Sequence, residues 1–170
     1  SKNILLSNLI FKELNYYLSL MVVDSLQQDI KYADLTNIKI QELKGRFEIV
    51  NDSPLKIIDG AHNYEGVEIL LRNYENKYGN LNTDIFLGFK KGKDINSILN
   101  LIIGKTNYNL HLIEDDTFFD QEITKEIGYL LDKHGKNYKI SSLEQFNRNK
   151  NPSILLGSLY LIGEYKKRNI

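Results

Sequence analysis

The chain has 170 residues, 42% of them hydrophobic, enough for one compact domain with a buried core that needs no disulfide or metal staple. Basic and acidic side chains balance at 22 each, so no long-range field draws the protein to nucleic acid, to an anionic membrane or to an acidic partner. Cysteine is absent, which excludes disulfides, thiolate catalysis and cysteine-ligated zinc and suits a reducing cytoplasm, and no apolar run approaches the roughly 20 residues that span a bilayer.

The chain opens at Ser1 without a targeting segment and reads as a piece of something longer. Leu6, Leu9, Ile10, Leu14, Tyr17, Leu18 and Met21 fall close to helical spacing, an apolar stripe that wants a partner surface. A polar stretch and a mixed segment through Leu35, Ile38 and Ile40 follow, and the composition places a domain boundary near Lys44. Phe47 to Val50 and Leu55 to Ile58 read as strands joined by the turn-forming Asn51-Asp52-Ser53-Pro54, short enough for an antiparallel hairpin. Val67, Leu70, Leu71, Tyr74 and Tyr78 share one face of a helix that stops at Gly79. Asp84 to Phe89 is a strand. Asp94 caps a helix with the stripe Ile95, Ile98, Leu99 and Ile102 and a stop at Gly104. Tyr108 to Ile113 is a strand, Ile123, Ile127, Leu130 and Leu131 mark a helix closed by Lys133, His134 and Gly135, and Tyr138 to Ile140 is a weak strand. Ser153 to Leu156 is the last strand, and Ser158 begins a final helix ending in Lys166, Lys167 and Arg168. Short strands alternating with amphipathic helices predict an α/β domain of three layers, with a mixed sheet of about six strands.

Three junctions carry the chemistry. In Ile57-Ile58-Asp59-Gly60-Ala61-His62-Asn63 a strand ends on a carboxylate, passes a glycine and enters a helix, at the carboxyl end of a strand where open α/β sheets bind ligands. Asp59 offers acceptors that suit sugar hydroxyls, and His62 and Asn63 stand at a helix N-terminus whose free N–H groups favour anions. Taken alone, the same residues also suit a plain cap and a solvated turn histidine. In Gly45-Arg46-Phe47-Glu48 an arginine beside the domain boundary has the planar fork that grips a phosphate, although taken by itself it reads first as a surface arginine paired with Glu48 or Glu42. In Leu156-Gly157-Ser158-Leu159-Tyr160 the Ser158 hydroxyl can cap the last helix or bind a carboxylate there. Lys90, Lys91 and Lys93 beside Gly92 and Asp94 have the charge to meet a phosphate or carboxylate, but they read first as a solvated basic loop. His111 and His134 have no metal-ligand spacing. The sequence contains no G-x-x-x-x-G-K-[ST] loop, no G-x-G-x-x-G after a strand and no G-x-S-x-G elbow, so these residues would serve chemistry organised elsewhere.

Taken in order, Gly45-Arg46-Phe47-Glu48, Asp59-Gly60-Ala61-His62-Asn63 with Gly66, and Gly157-Ser158-Leu159-Tyr160-Leu161 resemble the folylpolyglutamate synthase and dihydrofolate synthase family, relatives of the Mur peptide ligases. The resemblance implies that residues 45–170 are the C-terminal, Rossmann-like domain of such a ligase and residues 1–44 a helical remnant of its central ATPase domain. It implies an ATP- and Mg2+-dependent, cytoplasmic, monomeric enzyme of folate biosynthesis and one-carbon metabolism. That enzyme phosphorylates a pterin-linked carboxylate of dihydropteroate or a folate, and glutamate then attacks the acyl phosphate. ATP phosphates and Mg2+ would sit mainly on the absent N-terminal domain, leaving this fragment inactive alone. By the same resemblance Arg46 would contact ATP, Asp59 its ribose, His62 the transferring phosphate or incoming glutamate, and Ser158 a glutamate carboxylate. The chain departs from the family at Leu43-Lys44, where Trp-Pro is usual, at Tyr64 in place of proline, at Gly92-Lys93-Asp94 and at Leu156. Another Mur-type ligase and a non-enzymatic nucleotide or amino-acid binding module are the alternative readings.

Overall fold

The computed structural model describes residues 43–114 and 121–168, together with Leu18, Met21, Val22 and Ser25, which are helical. Most of the expected N-terminal stripe and the segment around Leu35 to Ile40 lie outside the described residues. The chain splits into two units, Ser1–Leu43 and Lys44–Ile170, and the second is an α/β domain.

Its elements alternate as the hydrophobic pattern predicts. An antiparallel hairpin comprises β1 (Glu48–Asp52) and β2 (Leu55–Asp59). There follow α1 (Tyr64–Tyr78), β3 (Thr83–Gly88), α2 (Ile95–Ile103), β4 (Tyr108–Ile113), α3 (Gln121–Lys133), β5 (Tyr138–Ser141), α4 (Leu143–Arg148), β6 (Ser153–Gly157) and α5 (Leu159–Lys167). The six strands form one mixed sheet in the order β1-β2-β6-β3-β4-β5, with every pairing parallel except β1 with β2.

The central strands are apolar on both faces, which is why they read as continuous hydrophobic runs. Ile57, Ile85, Leu87, Leu110, Leu112, Ile154 and Leu156 join the stripes of α1, α2 and α3 in one core cluster. Their alternating neighbours Ile58, Phe86, Ile113 and Leu155 join Leu143 and Phe146 of α4 and Leu161, Ile162 and Tyr165 of α5 in another. The result is three layers. Helix α4 is the one described element that the periodicity misses, because six residues are too few to show a stripe; a capping box between Ser142 and Gln145 starts it.

The topology decides where a ligand crevice lies. Strand β6 inserts between β2 and β3, and the helix that leaves it packs on the opposite face from those that leave β2 and β3. Loops therefore diverge at the carboxyl ends of β2, β6 and β3, the switch point at which open α/β sheets bind ligands.

Candidate functional site

The antiparallel register sets Glu48 opposite Ile58, so the turn before β1 lies against the end of β2. That turn is sharply left-handed, with φ of 74° at Gly45 and 45° at Phe47, a backbone that a phenylalanine adopts only where its surroundings hold it. Asp59 is what holds it. Its Oδ2 accepts from the Phe47 N–H at 2.7 Å, its Oδ1 accepts from the Ala61 N–H at 2.7 Å, and the Gly60 N–H donates to the Gly45 carbonyl at 2.8 Å. Arg46 Nη1 lies 3.7 Å from Asp59 Oδ1, with the guanidinium one-third exposed and the carboxylate 9% exposed. Burial pushes the Asp59 carboxyl above its ordinary value, against the pull of the two backbone N–H groups and Arg46.

Asp59 is thus less free than the sequence suggests. Both oxygens already serve the backbone, and each keeps one lone pair for a ligand hydroxyl.

Glu48 forms a second brace. Glu48 Oε2 accepts from the Gly45 N–H at 2.5 Å, and Lys166 of α5 donates to both carboxylate oxygens at 2.8 and 2.5 Å. Burial alone would raise the Glu48 carboxyl, but the bonds from Lys166 and Gly45, with the charges of Lys166 and Lys44, hold it below its ordinary value. A depressed folded-state value contributes stability that is present above the unfolded value of about 4.3 and is lost as pH falls through the folded one. Parent and Glu48→Gln protein should therefore differ in stability at neutral pH and converge on acidification, in chemical denaturation at a series of pH values. A gap that persists at low pH would refute the brace.

The other candidates follow along the same edge. His62 is half-buried, and its Nδ1 lies 2.8 Å from the Gly60 carbonyl. A carbonyl only accepts, so Nδ1 carries a proton, and in the neutral ring Nε2 is the acceptor. Asn63 caps α1, its Oδ1 accepting from the Gly66 N–H at 3.1 Å; a Cβ on Gly66 would stand 2.7 Å from that oxygen, which accounts for glycine there. At Gly60 a Cβ would come within 2.3 Å of Leu159 Cδ2, so the glycine serves close approach between the loop after β2 and the start of α5. Ser158 is 5% exposed and works as the N-cap of α5: its N–H donates to the Gly88 carbonyl at 3.0 Å and its Oγ accepts from the Leu161 N–H at 3.3 Å. Lys90 Nζ sits 3.5 Å from the centroid of the exposed Tyr160 ring, while Lys91 reaches Glu122 at 3.5 Å on the surface.

The structure therefore gathers Arg46, Asp59 and His62 into one hydrogen-bonded corner, and Gly60 joins that corner to the Ser158-Leu159 turn. The Lys93 side chain has no partner among the described residues. His111 is elsewhere, stacked 4.3 Å from Phe86 with Nδ1 2.9 Å from Ser141 Oγ. Among the described residues no group of three or more acidic, histidine or cysteine side chains is placed to hold a metal ion, and no described helix is long and apolar enough to cross a membrane. Phe47 and Glu48 matter through their backbone and brace; Glu48 stands in a motif the sequence already marks, but Lys166, 118 residues away, has no local signal.

The fold defines a class: the domain has the fold of the C-terminal domain of Mur-type ligases. Individual structures sharpen the likeness. The chain is 22% identical to E. coli FolC in complex with ADP, covering 92% of this chain and 39% of that one at a TM-score of 0.69. It is 21% identical to folylpolyglutamate synthase from Thermotoga maritima, covering 90% and 37% at 0.64. It is 16% identical to the UDP-N-acetylmuramate-alanine ligase MurC of the same organism, covering 92% and 37% at 0.60. The chain thus spans less than two-fifths of the length of these enzymes. No protein-family model and no curated protein matches it.

Proposed function

We propose that residues 45–170 are the C-terminal domain of an ATP-dependent amide ligase that adds glutamate to dihydropteroate or a folate through an acyl phosphate, and that residues 1–44 are the end of its central domain. The carrying observation is the corner in which the Gly45-Arg46-Phe47 turn hangs an arginine beside Asp59 and His62 at the carboxyl end of β2. The likeness to folylpolyglutamate synthases supports the acceptor class, and two of those neighbours are complexes with ADP and with DHPP and ADP.

In this reading Arg46 turns its fork from Asp59 to a nucleotide phosphate, a shift that a 3.7 Å ion pair opposes only weakly. Asp59 receives the ribose hydroxyls on its free lone pairs. His62 uses unprotonated Nε2 toward the transferring phosphate or the amine of glutamate, where an acceptor assists loss of the amine proton. Ser158, already accepting from Leu161, has its hydroxyl proton left to donate to a glutamate carboxylate. ATP supplies the phosphoryl group. Its phosphates and Mg2+ would be held mainly outside this domain, since the sequence has no P-loop.

Likeness to a muramate-alanine ligase supports a second acceptor class on the same corner. The complete polypeptide should release ADP only when glutamate and a dihydropteroate or folate acceptor are both present. Release with a UDP-muramoyl acceptor instead would transfer the domain to the second reading, and release with neither would leave a binding module.

A further inference from the structure

Lys56 begins three residues, about 10 Å, before Asp59 along β2, and it faces a separate concavity at the other end of the strand. About 390 Å³ of space is lined there by the β1–β2 hairpin, by residues 147–150 and by Tyr165 of α5. Three cations line it, Lys56, Arg148 and Lys150, and no carboxylate does.

Lys56 is the unusual member. It is only 5% exposed, its Nζ donates to the Asn147 carbonyl, and it stands 6.0 Å from the centroid of the Phe146 ring. Burial lowers its pKa from the usual lysine value, and no neighbouring anion opposes the shift. An ammonium has three N–H donors and is costly to bury without an anion. Arg148 and Lys150 are exposed, and among the described residues neither is paired with a carboxylate. Two acidic groups reach lining residues without lining the space: the charge of Glu48 acts on Tyr165, and Asp84 Oδ2 accepts from Asn149 at 2.7 Å. Asn109 and Asn151 also donate to the Asp84 carboxylate.

We infer that this concavity binds a dianionic phosphate group, free or borne by a small phosphomonoester, with Lys56 at its floor and Arg148 and Lys150 at its rim. A dianion balances most of the convergent charge, whereas a single carboxylate leaves two cations unmatched. The arginine fork suits adjacent phosphate oxygens, and the volume lies in the range of small-molecule sites, larger than a bare ion needs. The site is independent of the Arg46-Asp59-His62 corner, so its failure would leave the ligase reading intact.

The test is calorimetric titration of the full 170-residue chain with inorganic phosphate and, separately, with glycerol phosphate, each against chloride at equal ionic strength. Saturable binding is expected, weakened about tenfold or more in Lys56→Met and in the double variant Arg148→Ala/Lys150→Ala. The double variant changes exposed side chains only and keeps the test valid if Lys56→Met fails to fold. Tighter binding of glycerol phosphate would identify a phosphomonoester as the occupant, and equal affinity the phosphate ion itself. Heat no greater than that from chloride, or equal affinity in parent and double variant, would overturn the inference.

Discussion

Gly157→Ala is expected to abolish the folded domain, while Gly163→Ala, six residues further on, is expected to stabilise it. At Gly157 φ is 153°, and a Cβ would stand 1.9 Å from the Gly88 carbonyl oxygen and 2.7 Å from its carbon. Those atoms are backbone of β3, paired in register with β6 and accepting from the Ser158 N–H, so they cannot yield without parting the two central strands. Overlap of that kind, added to a backbone conformation that L side chains rarely adopt, belongs with the rare substitutions that cost about 4 kcal/mol or more. Gly163 lies exposed within α5 with nothing within 4 Å of its would-be Cβ, so alanine gains helix propensity of up to about 1 kcal/mol. Urea denaturation of both variants measures the contrast. A folded Gly157→Ala protein with near-parental stability would mean that β6 and β3 do not approach as described.

The second large effect is at Asp59. Asp59→Ala leaves the Phe47 and Ala61 N–H groups without their acceptor, at about 1–3 kcal/mol for each donor that stays buried. It also releases the left-handed turn that carries Arg46. Asp59→Asn is not a mild version, because its single carbonyl oxygen can replace one acceptor and its amide then faces the other N–H. The pH dependence runs opposite to that of Glu48. The raised folded-state value means that Asp59's contribution is fully present below the ordinary carboxyl value and is lost as pH rises through the folded one. The stability lost by Asp59→Ala should accordingly shrink with rising pH in denaturation profiles. A variant as stable as the parent would show that Asp59 does not pin the turn.

Much of this was legible in the sequence because the central strands and the α1–α3 stripes are strongly periodic. Ile85-Phe86-Leu87 and Ile154-Leu155-Leu156 announce strands buried on both faces, and the Asp94 cap with its Ile95, Ile98, Leu99 and Ile102 stripe gives α2 almost to the residue. Helix α4 was hidden by its length, although Ser142 and Gln145 are spaced as a capping box. At the candidate site, Ser158 was readable as the cap of the last helix, whereas the partners of Arg46, Asp59 and His62 were not. Asp59 binds a turn 12 residues back, and Glu48 binds a lysine 118 residues on, pairings that only the hairpin register and the packing of α5 create.

The most direct test of the ligase reading is ADP release by the complete polypeptide that depends on glutamate and on a dihydropteroate or folate acceptor, parent against His62→Ala, with urea denaturation run alongside. His62 is half-buried with one described hydrogen bond, so its loss should leave stability near that of the parent. The expected result is release that requires both substrates and falls about a hundredfold or more in the variant. Equal rates in two equally stable proteins would contradict the assignment of His62, and with it the claim that this corner completes a ligase site.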